Sequence, residues 1–165
     1  MRIDTLEDLY IEQLKDIYSA NIQALDVTKA MAKAATDQDL ASALNAGADG
    51  IVDGISSLKG MAQRHDESLE GETCKGMEGL ANEARTHALE QEFGEEATKD
   101  AMIITQYQRL THYAIAGYGC LAAFADRLEL DDDLALLKTC LDASYDGDRT
   151  MTKLATGGIN EQALS

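Results

Sequence analysis

The chain has 165 residues, and its 30 acidic residues outnumber the 14 basic ones, which gives a formal net charge of −16 at neutral pH. The apolar fraction of 45% is too high for a disordered chain, and the length suits one domain with a core of ordinary size. The acidity argues against nucleic acids and anionic membrane surfaces as partners, because both require a basic surface on the protein.

Apolar residues recur at helical spacing along five segments, and proline is absent, so nothing interrupts long helices. The first stripe runs from Leu6 to Met31, and Thr36 or Asp37 is expected to cap the second helix. We predict helices at about residues 5–35, 38–66, 74–89, 96–128 and 132–156. The pattern ends at Gly157 and Gly158, so residues 157–165 are predicted to fray.

These helices predict a single all-α domain over residues 1–165, built from two long hairpins at about 5–66 and 96–156. Hairpins of this length pack side by side as a four-helix bundle. The joining segment, of about 30 residues, can run the length of the bundle and contains a short crossover helix, which is the topology of ferritin-like folds. A repeat solenoid is the competing architecture, but the sequence shows no period of about 20–50 residues.

The three cysteines, Cys74, Cys120 and Cys140, form no Cys-x-x-Cys pair, which argues against a zinc ribbon or a thioredoxin-like site. Cys120 and Cys140 are equally distant from the turn near Leu130, so they are expected at the same height of one hairpin, as buried reduced thiols rather than a disulfide. The N-terminal residues 1–8 lack the apolar core of a signal peptide, and no segment reaches the roughly 20 apolar residues of a membrane span. We therefore expect a cytoplasmic protein.

Ferritin-like bundles hold two metal ions at mid-helix, with one Glu from each of two helices and Glu-x-x-His from each of the other two. That spacing places both side chains on one helix face, where they can bind one metal pair. The residues three positions before the histidines His65, His87 and His112 are Ala62, Ala84 and Arg109. The sequence therefore contains no Glu-x-x-His motif.

Small residues occupy the mid-helix positions where the ligands would lie. These positions are Asn21, Gly47, Gly50, Gly54, Ala114, Gly117 and Ser144. Each glycine in a helix interior costs about 0.5–1 kcal/mol relative to alanine, so the three in the second helix need an explanation. Close helix–helix contact, a cavity left by larger groups, and a pocket for a small ligand are three interpretations that the sequence leaves open.

Several short motifs resemble the bacterial YciE/YciF family of ferritin-like stress proteins. They are Tyr18-Ser19-Ala20-Asn21, residues 31–35, residues 74–80, residues 112–119, residues 128–131 and residues 136–139. Together they cover the chain from about residue 5 to residue 156, in the order of the family. The resemblance implies a ferritin-like bundle that is often dimeric, is connected with stress responses and has no well-defined biochemistry.

The chain departs from the family pattern where the metal-binding carboxylates are expected. Asn21 replaces the Glu of Tyr-Ser-Ala-Glu, and Thr111-His112-Tyr113-Ala114 stands where the family has Glu-His-Tyr-Glu. Asp49-Gly50 replaces paired glutamates, Gly54 replaces a Gln or His, and Asp142-Ala143-Ser144 replaces a glutamate run. A dinuclear site for hard metals needs several carboxylates. We therefore predict a degenerate metal site at Asn21, Gly50, Gly54, Thr111, His112, Ala114 and Ser144.

The remaining polar residues have simpler interpretations. His112 could bind a metal only with partners such as Asp53, Asp146 or Asp148, and a hydrogen-bonded structural role is favoured over that one. His65 and His87, at charged helix ends, and the acidic runs Glu95-Glu96 and Asp131-Asp132-Asp133, at helix starts, are expected to be solvated. Tyr18 and Tyr113 are expected to bond one another, Asn21 or a trapped water.

The sequence thus predicts a non-catalytic bundle that acts through binding or assembly. We expect a homodimer without a cofactor, without catalytic or cofactor-binding residues and without nucleic-acid or membrane partners. Two alternatives remain. One is a metal-dependent redox or oxygen-handling protein with few carboxylates and bound iron or manganese, and the other is a small-molecule binder that uses a mid-bundle cavity.

Overall fold

The computed structural model describes residues 2–164, and helices account for most of them, with no strand in that range. The α-helices are α1 (Leu6–Ala34), α2 (Gln38–Arg64), α3 (Lys75–Ala84), α4 (Glu96–Arg127), α5 (Asp131–Leu154) and α6 (Asn160–Gln162). Two π-helical segments, Arg85–Glu90 and Ala155–Ile159, extend α3 and α5.

Polar side chains fix where the first two helices begin. Thr5 and Asp8 form a capping box at the start of α1, in which the Thr5 hydroxyl accepts from the Asp8 backbone N–H at 3.0 Å. Asp37 caps α2 by accepting from the Leu40 N–H at 2.9 Å, which confirms one of the two predicted caps. The buried carboxylate of Asp100 accepts from the Thr36 and Asp37 backbone amides, so the α1–α2 turn is tied to the start of α4.

The helices pack as a bundle of two hairpins, which confirms the predicted all-α architecture. Helix α1 packs against α2 and α4, while α5 packs against α4 and α2. The crossover helix α3 lies on α1 and α4 and so covers one side of the bundle. The opposite side is formed by α2 and α5.

The buried side chains form two clusters, one at each end of the bundle. The first contains Val27, Met31, Leu40, Leu44, Met77 and Ile103. The second contains Tyr10, Leu14, Leu58, Met61, Leu121 and Leu137. Full burial of such a side chain stabilises the fold by about 1.5–3 kcal/mol, so both ends are well anchored. The middle of the bundle lies between the two clusters.

The C-terminal tail differs from the prediction of fraying. The chain continues past residue 156 through the π-helical segment into α6, and Ile159 is only 4% exposed because it packs into the first cluster. The two glycines break the helical pattern in sequence, but the apolar side chain that follows them is buried on folding. Ser165, the last residue of the predicted tail, lies outside the described residues.

Candidate functional site

A cavity of about 380 Å³ lies at mid-bundle between the two clusters. The innermost wall comes from α1 and α4, where Ala20, Ala24 and Leu110 are buried. On α2 and α5 the lining includes Gly50 and Ala143, which are exposed. The cavity therefore opens to solvent between α2 and α5, on the side that α3 does not cover.

Five of the seven residues predicted for the degenerate site line this one cavity. They are Asn21, Gly50, Thr111, Ala114 and Ser144. A sixth, Gly54, lies at its edge, because a Cβ atom at this position would meet the Tyr118 hydroxyl at 2.5 Å and Asn21 Nδ2 at 3.5 Å. The helix periodicity and the family motifs thus point to positions that converge in space.

His112, the seventh residue, lies outside the cavity. Its side chain is 63% exposed, and Nε2 pairs with Oδ1 of Asp148 at 2.9 Å on the surface of the α4–α5 hairpin. It follows Thr111 directly in the sequence, and one residue along an α-helix turns the side chain by about 100° away from the inward face that carries Thr111 and Ala114. His112 therefore contributes nothing to the bundle centre.

The donor set around the cavity does not fit a dinuclear metal centre. Asp146 is the one carboxylate among the lining residues, and its side chain is 74% exposed and paired with Arg149. Across residues 2–164, no three His, Cys, Asp or Glu side chains are grouped so that they could hold a metal ion. Hard divalent metals need several oxygen ligands with negative charge, and these residues do not supply them.

Two tyrosines of α4 extend their hydroxyl groups toward the glycines of α2. The Tyr118 hydroxyl accepts a hydrogen bond from Asn21 Nδ2 at 2.5 Å. The Tyr107 hydroxyl lies so close to Gly47 that a Cβ atom there would collide with it. Burial raises the pKa of both phenols, so they stay protonated. Gly47 and Gly54 thus make room for tyrosine hydroxyls, whereas Gly50 has open space where a Cβ would stand.

Thr28 is the polar residue of the cavity whose hydrogen bonding is incomplete. The residue is fully buried and belongs to the α1 wall. Its Oγ1 atom has no hydrogen-bond partner among the described residues, whereas the other serine and threonine hydroxyls of the lining, on Thr111, Ser144 and Thr150, donate to carbonyl oxygens of their own helices. A buried hydroxyl without a partner costs about 1–3 kcal/mol, so this position is unusual for an ordinary core.

The thiols differ from the predicted buried pair. All three cysteines are free, but Cys120 is exposed, whereas Cys140 is partly buried and lines the cavity. Burial raises the pKa of the Cys140 thiol, and the nearby Asp53 carboxylate adds to this effect. Cys140 is therefore a neutral thiol in the cavity wall.

The tyrosine network also differs from the prediction. Asn21 bonds Tyr118 rather than Tyr18 or Tyr113. The Tyr113 hydroxyl donates to Asp16 at 2.8 Å and lies 2.9 Å from the Cys74 thiol, at the start of α3. Since the hydroxyl proton is committed to Asp16, the thiol donates to the hydroxyl oxygen. This chain of bonds fastens the crossover helix to α1 and α4.

A buried polar cluster around Asp133 has no signature in the sequence. Asp133 was expected to be solvated, yet it is 2% exposed and accepts from the Tyr10 hydroxyl and Arg64 Nε, both at 2.8 Å. His65, also expected to be solvated, has a half-buried ring whose Nε2 lies 2.7 Å from Asp133. Burial raises the pKa of Asp133, but the bonds from His65, Arg64 and Tyr10 outweigh it and hold that pKa below its usual range. Only the tertiary contact between α2 and α5 reveals this cluster.

None of the helices within residues 2–164 has the length and hydropathy needed to cross a membrane.

Comparison with known proteins gives concordant matches over nearly the whole chain. A family described as Domain of unknown function (DUF892) matches residues 5–164. Protein YciF of Escherichia coli strain K12 is 32% identical over 171 residues, which cover 99% of this chain and 98% of YciF.

Solved structures agree with these sequence matches. The crystal structure of the E. coli stress protein YciF superposes with a TM-score of 0.87 at 28% identity, over 96% of this chain and 99% of that one. YcfI, a putative structural protein from Rhodopseudomonas palustris, gives a TM-score of 0.85 at 31% identity, over 91% of this chain and 94% of that one.

Proposed function

Because the chain belongs to the DUF892 family, as its YciF-like motifs predicted, we propose that it is a non-catalytic, stress-associated binding protein. One relative is described as a stress protein and another as a putative structural protein, and both descriptions are compatible with a function based on binding rather than catalysis. The binding site in this proposal is the mid-bundle cavity.

The observation that carries the proposal is the cavity itself. A volume of about 380 Å³ falls within the range of about 300–1,000 Å³ typical of small-molecule sites. Such sites have mainly apolar walls and a few fixed polar groups. Here Ile17, Ala24 and Leu110 supply apolar wall, while Asn21, Thr28 and the tyrosine hydroxyls supply the polar groups.

The same cavity supports the proposed loss of a metal centre. Asn21, Ala114 and Ser144 stand at positions where the family pattern has carboxylates, and each of them lines the cavity. Removal of a carboxylate from each of several helices eliminates metal ligands and vacates volume at the same place. A degenerate metal site and a small-molecule cavity are thus two aspects of one change in sequence.

Elemental analysis and native mass spectrometry of protein purified without added metal test this proposal together. We expect far less than one equivalent of iron, manganese or zinc, and a bound small molecule that is released on unfolding. A stoichiometric metal ion that persists through dialysis would overturn the proposal in favour of a redox or oxygen-handling function.

Restoring the carboxylates gives a second test. We expect the combined variant Asn21→Glu, Gly50→Glu, Ala114→Glu and Ser144→Glu to bind divalent manganese in calorimetry, because four carboxylates would then converge at mid-bundle. The control carries the same added charge at four exposed positions outside the cavity, as Asn45→Glu, Gln63→Glu, Gln91→Glu and Asn160→Glu. Equal uptake by both variants would contradict the placement of the lost ligands.

The resemblance to the family further leads us to propose a homodimer. Light scattering coupled to size-exclusion chromatography measures this directly, with a mass of twice the 17.8 kDa chain as the expected result. The net charge of −16 supports the further proposal that the protein binds neither nucleic acids nor anionic membranes.

A further inference from the structure

We infer that the cavity takes an uncharged, mostly apolar molecule with a hydrogen-bond acceptor such as a carbonyl oxygen, and that the Thr28 hydroxyl donates to this acceptor. This inference rests on the proposed binding function, because it names the chemical class of the ligand for the same cavity.

The position of Thr28 supports an acceptor on the ligand. Its hydroxyl is fully buried in the α1 wall and lacks a partner within residues 2–164. Hydroxyl groups in a protein interior nearly always have a hydrogen-bond partner, because an unpaired one forfeits its bonds to water. The hydroxyl has no exposed surface in the empty cavity, so the Thr28 side chain must turn toward the ligand to donate, and a ligand oxygen would then restore the missing bond.

The charges around the cavity favour a neutral ligand. The described lining contains no Lys, Arg or His, so the carboxylate or phosphate of an anionic ligand would be buried without a counter-charge. Asp146 at the mouth and Asp53 close to Cys140 repel anions further. A cation has no buried carboxylate to pair with, since the Asp146 side chain is largely exposed and already paired with Arg149.

The walls favour an apolar body. Ile17, Ala20, Ala24 and Leu110 are all less than 5% exposed, and they present hydrocarbon from α1 and α4. Most of the binding free energy at such a site comes from apolar surface of the ligand that is removed from water, and the hydrogen-bond acceptor of the ligand fixes its orientation. A fused aromatic ring with one carbonyl group has this combination.

Two probes that differ in a single group test the inference. They are 2-acetylnaphthalene and 2-isopropenylnaphthalene, in which a methylene group replaces the carbonyl oxygen at nearly constant shape. Equilibrium dialysis with ultraviolet detection measures both affinities, and the absence of tryptophan keeps the absorbance of the protein low. We expect the wild-type chain to bind the ketone about five- to tenfold more tightly than the alkene, as a buried hydrogen bond predicts.

Substitutions at Thr28 assign this preference to its hydroxyl. Thr28→Val keeps the shape and removes the hydroxyl, so the ketone and the alkene should then bind equally. Thr28→Ser keeps a hydroxyl and should retain the preference. Thr139→Val is the matched control, because Thr139 lies on the exposed face of α5 and bonds the carbonyl of Ala135. It should leave both affinities unchanged.

A bulky residue at the mouth tests whether the probes occupy the cavity. Gly50 lines the mouth and has open space where a Cβ would stand, so Gly50→Phe should weaken both probes at least tenfold. Gly119 in α4 has equally open space and does not line the cavity, so Gly119→Phe should leave both affinities unchanged.

The outcomes distinguish a wrong ligand class from a wrong binding function. If both probes bind in the cavity with equal affinity and Thr28→Val changes neither, the ligand class is wrong, whereas the binding function stands. If neither probe binds the wild-type chain, the inference fails. If a stoichiometric metal ion is found at mid-bundle as well, the binding function fails with it.

Discussion

At the scale of single residues, Asp133 shows how a charged group can become structural. It stands in a run of three aspartates at the start of α5, yet it alone of the three is buried, and it receives bonds from Tyr10, Arg64 and His65. These partners come from α1 and from the end of α2. The carboxylate therefore joins three elements at one end of the bundle.

Replacing this carboxylate should destabilise the fold. We expect Asp133→Asn to lower the free energy of unfolding at pH 7 by about 1–3 kcal/mol, since it leaves Arg64 without its buried partner. Asp132→Asn is the control, because Asp132 is exposed and its loss should change stability by less than about 0.5 kcal/mol. Urea unfolding followed by circular dichroism measures both values, and equal effects of the two variants would contradict this account.

The contribution of Asp133 to the free energy of unfolding should also depend on pH. Because the pKa of Asp133 is lowered on folding, its contribution is fully present above the ordinary carboxyl range of about pH 4 and is lost as the pH falls further. The stability difference between wild type and Asp133→Asn should therefore shrink between pH 5 and pH 3. A difference that stays constant over this interval would show that ionisation of Asp133 is not its source.

Residue-level features could be predicted only where they follow a local pattern. Asn21, Ala114 and Ser144 were placed at the bundle centre because helical periodicity and family motifs fix which face they occupy. The partners of Asp133 and the isolation of the Thr28 hydroxyl depend on contacts between helices distant in sequence. Such contacts leave no signal at the residue itself.

At the scale of elements, glycines set how closely the helices approach one another. Gly117 of α4 faces Ile17 of α1, and a Cβ at this position would collide with the Ile17 side chain, including Cγ1 at 2.7 Å. Ile17 is 1% exposed, so it would have to shift within the packed bundle to make room for this atom. Gly117 therefore permits close helix contact. Of the three α2 glycines for which the sequence leaves the interpretation open, Gly50 belongs to the open mouth of the cavity.

A comparison of two glycines in α4 tests this explanation. We expect Gly117→Ala to destabilise the protein by about 1–3 kcal/mol through overpacking against Ile17. Gly119→Ala should instead stabilise it by about 0.5–1 kcal/mol, because its Cβ meets open space and alanine favours the helix. Thermal and urea unfolding measure both, and a stabilised Gly117→Ala would show that α1 and α4 can move apart freely.

Element positions were the most predictable feature of this chain. Long amphipathic stripes without proline leave few alternatives to helices, and the polar breaks at Thr36-Asp37 and around residues 128–131 mark the turns of the two hairpins. The tail was predicted wrongly, because Gly157 and Gly158 suggest a terminus. Burial of Ile159 against the first cluster is a tertiary effect that overrides this local signal.

At the scale of the whole molecule, the acidic surplus lies largely on the surface. Few carboxylates are buried, and those of Asp100 and Asp133 are fully engaged in hydrogen bonds. A net charge of −16 on a 17.8 kDa chain produces strong self-repulsion, which favours solubility and opposes compactness.

This repulsion predicts a response to salt. Raising sodium chloride from 10 mM to 300 mM should increase the thermal midpoint by a few degrees, because screening weakens repulsion among exposed carboxylates. A sucrose solution of equal osmolality is the control for effects that are not electrostatic. A midpoint that falls with salt would indicate that attractive ion pairs, rather than repulsion, dominate the surface.

The crossover helix α3 covers one side of the bundle, and the cavity opens on the opposite side. Since α3 covers the side formed by α1 and α4, a molecule held in the cavity would leave between α2 and α5. The bonds of Arg64 and His65 to Asp133 fasten these two helices together at one end. Exchange of a ligand would therefore depend on how easily it passes the mouth between α2 and α5, so two ligands of equal affinity but different width could differ widely in their rates of exchange.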